Sequence, residues 1–254
     1  IKDAICDAFR MRFNKRPSVD TQAPDVRVHA FLTAEEMTLY LDTSGEALFK
    51  RGYRRETGEA PLRENLAAGM LALSGWTPEQ TLLDPMCGSG TILCEAAMIA
   101  AQRAPGVNRA FGFEKLANFD APAWQALRDA ARAKEKNSIK SNIYGSDLRG
   151  DALKLARAHL AALGYESMVT LKQANVLEMP PPALNGTHGF IVTNPPYGVP
   201  ALALSAPSLH RNWTFWPAVV GTGASARRFR SRSSFSYQWR PRRLSANRIT
   251  DMNQ

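Results

Sequence analysis

The chain has 254 residues, 44% of them hydrophobic, and a net charge of +9. No stretch approaches the roughly 18 consecutive apolar residues of a membrane helix, and no charged-then-apolar leader opens the chain, so a soluble, cytoplasmic protein is expected, with no membrane partner. Three cysteines (Cys6, Cys87, Cys94) and four scattered histidines (His29, His159, His188, His210) argue against a disulfide framework and leave too few clustered ligands for a metal site.

The chain begins on Ile1 rather than a methionine, which suggests a fragment. IKDAICDAFRMRF (1–13) spaces its apolar residues at helical intervals and predicts an amphipathic helix. VRVHAFL (26–32) and MTLYLDT (37–43) alternate apolar and polar residues and predict a strand pair. One helix and two strands make no stable unit alone, so 1–54 reads as part of a small α/β module. PLRENLAAGMLALSG (61–75) predicts a helix with Pro61 near its start and Gly75 at its C-cap.

From residue 81 the pattern is regular. TLLDPM (81–86) is a short apolar strand, CGSGT (87–91) a glycine-rich turn, and ILCEAAMIAAQ (92–102) a helix. A loop at 104–119 precedes a helix over 121–137. IYGSD (143–147) is a strand, 150–164 a helix closed by Gly164, and MVTLKQAN (168–175) and GFIVTN (189–194) are further strands. Strands alternating with helices predict a doubly wound, mostly parallel, Rossmann-like α/β sheet with ligands at the carboxyl ends of its strands.

Those ends carry suitable groups. In DPMCGSGT (84–91), Gly88 and Gly90 permit a tight turn and close backbone approach. The turn opens a helix whose amides favour electronegative groups. GxxxxGK[ST] and GxGxxG are both absent, so the turn is neither a P-loop nor a dinucleotide fingerprint; alone it reads equally as a plain strand–helix connection. Asp147 ends the next strand and suits either two ribose hydroxyls or the N-terminus of the following helix. Asn175 ends the third and suits an adenine edge or a turn. The three in order favour a nucleoside-bearing cofactor.

The fourth strand runs into Asn194-Pro195-Pro196-Tyr197. Two prolines stop a strand and hold its last turn rigid. The Asn194 side-chain oxygen and the Pro195 carbonyl are then two fixed acceptors, which suit the two N–H bonds of an amine on a flat ring. Holding both hydrogens out of plane favours a nucleophilic nitrogen, and Tyr197 offers a face on which a base lifted from its helix can stack.

DPMCGSGT resembles motif I of class I S-adenosylmethionine-dependent methyltransferases, and NPPY is similar to motif IV of those that methylate exocyclic nitrogens. The longer strings LDPMCGSGTILCEAAMIA, RPSVDTQAPDVRV, LDTSGEALFKRGYR and APLRENLAA resemble the bacterial 23S rRNA guanine-N2 methyltransferases of the RlmL type, across about 1–199. The resemblance implies the later part of a THUMP RNA-binding domain at 1–54 and a methyltransferase domain at 55–199. It implies S-adenosylmethionine as cofactor and 23S rRNA, as large-subunit precursor, as partner. Asp84, Cys87, Gly88, Ser89, Gly90 and Thr91 would surround the methionine end of the cofactor, Asp147 its ribose and Asn175 its adenine. Asn194, Pro195, Pro196 and Tyr197 would hold the guanine. The family more often has Asp where Asn175 stands. Cys87 and Cys94 are then a loop and a packing residue rather than nucleophiles.

Residues 200–254 depart from that pattern, so the sheet is expected to be incomplete at its C-terminal side. Within them, 201–254 hold nine arginines, no lysine and one acid, Asp251, and supply +8 of the +9. No sustained period of 2 or 3.6 appears there. The segment reads as a shifted reading frame, or alternatively as a basic RNA-binding tail with aromatic stackers. Two enzymatic alternatives stay open, N6-adenine methylation and tRNA guanine-N2 methylation, as does a non-catalytic RNA-binding remnant.

Overall fold

The computed structural model describes residues 1–54, 62–136, 142–186 and 188–195, together with the backbone of a strand at 213–217. The N-terminal unit is a helix, α1 (Lys2–Phe13), followed by an antiparallel pair, β1 (Arg27–Leu32) and β2 (Met37–Asp42), in register from Arg27 opposite Asp42 to Leu32 opposite Met37. Nearly every residue of the pair is exposed, and of α1 only Cys6 is buried.

The larger unit is a parallel sheet. Its strands are β3 (Thr81–Asp84), β4 (Ile143–Asp147), β5 (Val169–Gln173), β6 (Gly189–Thr193) and β7 (Trp213–Pro217), in the spatial order β5-β4-β3-β6-β7. The order runs outward from β3 to β5, then returns across β3 to β6. In sheets of this kind the ligand crevice falls at the carboxyl ends where the order reverses, here between β3 and β6. TLLD of β3 and GFIVT of β6 are buried at every residue, as expected of central parallel strands covered on both faces.

Three helices pack on this sheet, α2 (Glu64–Ser74), α3 (Thr91–Ala100) and α5 (Gly150–Leu163), while a fourth, α4 (Ala121–Ala133), sets Trp124 edge-on to Phe111 and Phe113. TILCEAAMIA of α3 is buried almost all round, because α2, α5 and the strand β4 press on it from different sides. It comes so near β4 that a methyl at Gly145 would stand 2.3 Å from Leu93 Cδ1. The main core joins α2, α3 and α5 to Leu82, Ile143, Val169, Phe190 and Val192 on one face of the sheet. On the other face, Leu83 and Ile191 are covered by Tyr144, Met179 and Leu184. At the start of α4, the Asp120 carboxylate accepts from the Ala123 amide at 2.9 Å and Pro122 occupies the first turn.

The predicted α/β sheet is therefore present, with boundaries within a few residues. The helix expected over 121–137 stops at Ala133, and a short 3₁₀ turn, Gly112–Lys115, interrupts the expected loop. Pro61 lies outside the described residues. One element differs outright: β7 pairs in parallel with β6, from Gly189 opposite Trp213 to Thr193 opposite Pro217, in a segment where the sequence shows no sustained period. WTFWP has no alternation of polar and apolar residues to betray a strand. Its aromatic and β-branched composition was the available signal. The reading of 200–254 as a shifted frame or basic tail otherwise falls on residues, 200–212 and 218–254, that lie outside the described ones.

Candidate functional site

Parallel strands put their carboxyl ends on one edge, so Asp84 (β3), Asp147 (β4), Asn175 (just past β5) and Asn194 (just past β6) share one side of the sheet. The turn between β3 and α3 is the centre of this edge. It folds by short local bonds: the Gly90 amide donates to the Cys87 carbonyl at 2.8 Å and the Cys87 amide to the Ser146 carbonyl at 2.9 Å. Gly88 and Gly90 stand at φ 54° and 78°, left-handed conformations that a side chain would strain. At Gly90 there is also no room, since an added methyl would lie 2.9 Å from the Ala156 Cβ on α5.

Two side chains brace this turn from outside it. The Asp147 Oδ2 accepts from the Gly88 amide at 2.9 Å while its Oδ1 accepts from the Arg149 amide at 2.9 Å. One carboxylate thus ties the end of β4 both to the glycine turn and to the start of α5. A carboxylate offers about four acceptor directions, so two are spent on the backbone and the remainder can meet hydroxyls. His159, buried on α5, sets its Nδ1 3.0 Å from the Ser89 carbonyl. On its other flank, the ring of Tyr53 packs at 5.7 Å between centroids.

Asp84 is 1% exposed. Burial pushes its carboxyl up to about 7; the neighbouring Asp147 adds to the rise, while the Thr193 hydroxyl and the Met86 amide oppose it. Thr193 is wholly buried on β6, and its Oγ1 completes no hydrogen bond of ordinary geometry. A buried carboxyl group therefore stands at the carboxyl end of β3, beside a hydroxyl from β6. Cys87 and Cys94 are buried too, and burial drives both thiols well above their ordinary range, so neither forms a nucleophilic thiolate.

Asn175 makes a local turn. Its Oδ1 accepts from the Leu177 amide at 3.1 Å and its Nδ2 donates to Glu178 Oε1 at 3.0 Å. The carbonyl oxygen suited to an adenine edge thus already holds one backbone partner. Asn194 and Pro195 are half-buried directly after β6. Pro196 and Tyr197 lie outside the described residues.

The sheet edge therefore brings together Asp84, the turn from Cys87 to Thr91, and Asp147, with Asn194 one strand away across the reversal point. Sequence reasoning missed four supporting residues: Ser146, His159, Thr193 and Arg54, whose guanidinium reaches Thr91 Oγ1 at 2.7 Å. His159 shares a helix face with Ala156, Leu160 and Leu163, all buried, and that inward position was its only signal. Among the described residues no cluster of His, Cys, Asp or Glu could hold a metal ion, and no helix is long and apolar enough to cross a membrane.

The arrangement suits a nucleoside-bearing methionine derivative. The amides of Cys87, Gly88 and Gly90 are bonded within the protein, which leaves those at Ser89 and the head of α3 for one part of a ligand, and Asp147 retains acceptor capacity for another. No lysine follows the glycines to meet a phosphate. Residues 51–216 match the family model described as RMKL-like, methyltransferase domain, and residues 1–42 match that of the THUMP domain. Among solved structures, the chain is similar to SMU.472, assigned as a methyltransferase and solved in complex with SAH (34% identity, TM-score 0.71, 84% of this chain and 59% of that one). It is similar to a protein from Clostridium difficile 630 assigned as a methylase (34%, TM-score 0.72, 84% and 58%). A third, from Listeria monocytogenes str. 4b F2365, is assigned as an N6-adenine-specific DNA methylase (29%, TM-score 0.71, 84% and 58%). The chain spans less than two thirds of the length of each of these proteins.

Proposed function

From its membership of the RMKL-like methyltransferase family, to which this chain belongs, we propose that it methylates the exocyclic N2 amine of a guanine in 23S rRNA, with S-adenosylmethionine as cofactor. The observation that carries the reading is the position of Asn194 and Pro195, at the carboxyl end of β6 and across the strand-order reversal from Asp84 and the glycine turn. The THUMP match at 1–42 supports RNA over DNA. Cytoplasmic location is part of the same proposal.

The bound cofactor supplies an electrophilic methyl group. The chain's residues do the rest. The turn from Cys87 to Thr91 receives the methionine end through the backbone amides at Ser89 and the head of α3, those of Cys87, Gly88 and Gly90 being bonded within the protein. Asp147 accepts from ribose hydroxyls with the lone pairs that Gly88 and Arg149 leave open. Asn175 meets the adenine through its carbonyl, giving up or sharing its bond from Leu177. Asn194 and the Pro195 carbonyl hold the two N–H bonds of the target amine, and Tyr197 stacks on its base. No strong base is needed, because the proton leaves the nitrogen for solvent after it has become cationic.

The test is incubation with labelled S-adenosylmethionine and total rRNA, followed by digestion to nucleosides. N2-methylguanosine is expected. Asn194→Ala abolishes transfer while leaving affinity for S-adenosylhomocysteine within about twofold; an active Asn194→Ala protein sinks the mechanism. A second reading, N6-adenine methylation, has support in the assignment of the Listeria protein, and N6-methyladenosine in the digest would select it. Label found in tRNA rather than rRNA would redirect the substrate. RNA binding without any transfer would identify a non-catalytic remnant.

A further inference from the structure

Residues 48–54 form a strap between the N-terminal unit and α2, and it ends against the cofactor turn. Arg51 pairs with Glu95 on α3 at 3.2 Å, both side chains being at least nine-tenths buried. Arg54 pairs with Glu64 on α2 at 3.3 Å, with side-chain exposures of 10% and 6%. Its guanidinium also donates to the Leu62 carbonyl at 3.1 Å and to Thr91 Oγ1 at 2.7 Å. Thr91 is the first residue of α3, directly after Gly90.

Stability alone does not account for this cation. A positive charge at a helix N-terminus opposes the helix dipole. A buried ion pair is usually no more stabilising than apolar packing of the same volume. Anchoring of the strap is already supplied by Arg51 and Glu95. What Arg54 adds is a fixed Thr91 hydroxyl and positive potential at the head of α3, where an anionic group on a ligand would be favoured.

We propose that Arg54 is a positioning residue for the cofactor, holding Thr91 and the head of α3 for the carboxylate of the cofactor's amino-acid end. The inference rests on the reading above, in which this turn receives the methionine end. It concerns a residue outside the glycine-rich motif, on a segment that links the two units.

The test compares two ligands by calorimetry: S-adenosylhomocysteine, which carries the amino-acid end, and 5′-methylthioadenosine, which lacks it. The variant is Arg54→Met with Glu64→Gln, which leaves no buried charge unpaired. Its affinity for S-adenosylhomocysteine falls about tenfold, the size of one charge-assisted hydrogen bond, while 5′-methylthioadenosine binds as before and the thermal midpoint is retained. Equal losses for both ligands, or no loss for either, overturn the proposal. If the double variant does not fold, Arg54→Lys carries the same comparison, since it keeps the charge beside Glu64 but loses the fork that reaches Thr91 and Leu62. A parent protein that binds neither ligand refutes the cofactor reading instead.

Discussion

Asp84 has a measurable signature of its own. Its carboxyl is pushed from an ordinary 3.8 up to about 7 in the folded chain, chiefly by burial. Below pH 3.8 both folded and unfolded chains hold this proton. Between there and about 7 the unfolded chain releases it and the folded chain does not, so this group lowers stability as pH rises through that window, by at most ~1.4 kcal/mol per pH unit. Asp84→Asn removes that slope. Urea midpoints of parent and variant converge near pH 4 and separate, in favour of the variant, towards pH 7. Parallel curves refute the burial argument. Asp147→Ala acts differently, because its two oxygens are backbone acceptors: it loosens the turn at Gly88 and weakens S-adenosylhomocysteine binding about tenfold. Unchanged affinity by calorimetry refutes the ribose role. At this scale the sequence was informative where a strand end and an acid or amide coincide, as at Asp84 and Asp147. It was silent on His159 and Thr193, whose place depends on which strand and helix come to lie beside the turn.

The glycine turn and its two helices act as one element. Gly90 sits at φ 78° and Ala156 blocks the space a side chain would need. Gly90→Ala costs about 1–3 kcal/mol from backbone strain alone, and the contact with Ala156 adds to it. Ala156→Gly relieves the 2.9 Å contact and leaves the strain, so denaturation of Gly90→Ala, Ala156→Gly and the double variant separates the two effects from the cost of a glycine inside α5. Full recovery would mean that the backbone conformation is unstrained. Elements with both a periodic pattern and a stop signal were readable: α5 ends at Gly164 in the left-handed conformation, as its sequence suggests, and β4 runs over the residues expected. The strand β7 was not, because five residues without polar alternation acquire their structure from the open edge of β6. Tertiary pairing decided the matter there, and no local signal competes with it.

At the scale of the molecule, the N-terminal unit is fastened to the sheet unit by the connecting segment. Besides the strap at 48–54, Arg109 donates to the carbonyls of Ser44, Glu46 and Ala47, and the Phe113 amide donates to the Thr43 carbonyl at 3.0 Å. The family model begins at residue 51, and Arg51 and Arg54 pair with Glu95 and Glu64 of the sheet unit. β7 lies at Trp213–Pro217, near the end of the family match at 216. A chain ending at Pro217 keeps β7, whereas one ending at Val199 loses it and exposes the edge of β6. The shorter chain is expected to melt lower and to aggregate on light scattering. Identical melting of the two shortened chains would show that β7 contributes nothing to the sheet.

The crossing of β3 by the chain has a consequence in time. Leu82 pairs with Ile143 on one side and with Phe190 on the other, so one edge of β3 finds its neighbour long before the other. During synthesis β3, β4 and β5 can assemble with α3 and α5 while the second edge of β3 still waits. Until residue 189 has emerged from the ribosome, that edge is bare and open to another nascent chain. The end of the sheet that carries Asn194 and Pro195 is completed after that, so a ribosome paused before that point would display a half-built sheet with Asp84, the glycine turn and Asp147 in place and β6 missing.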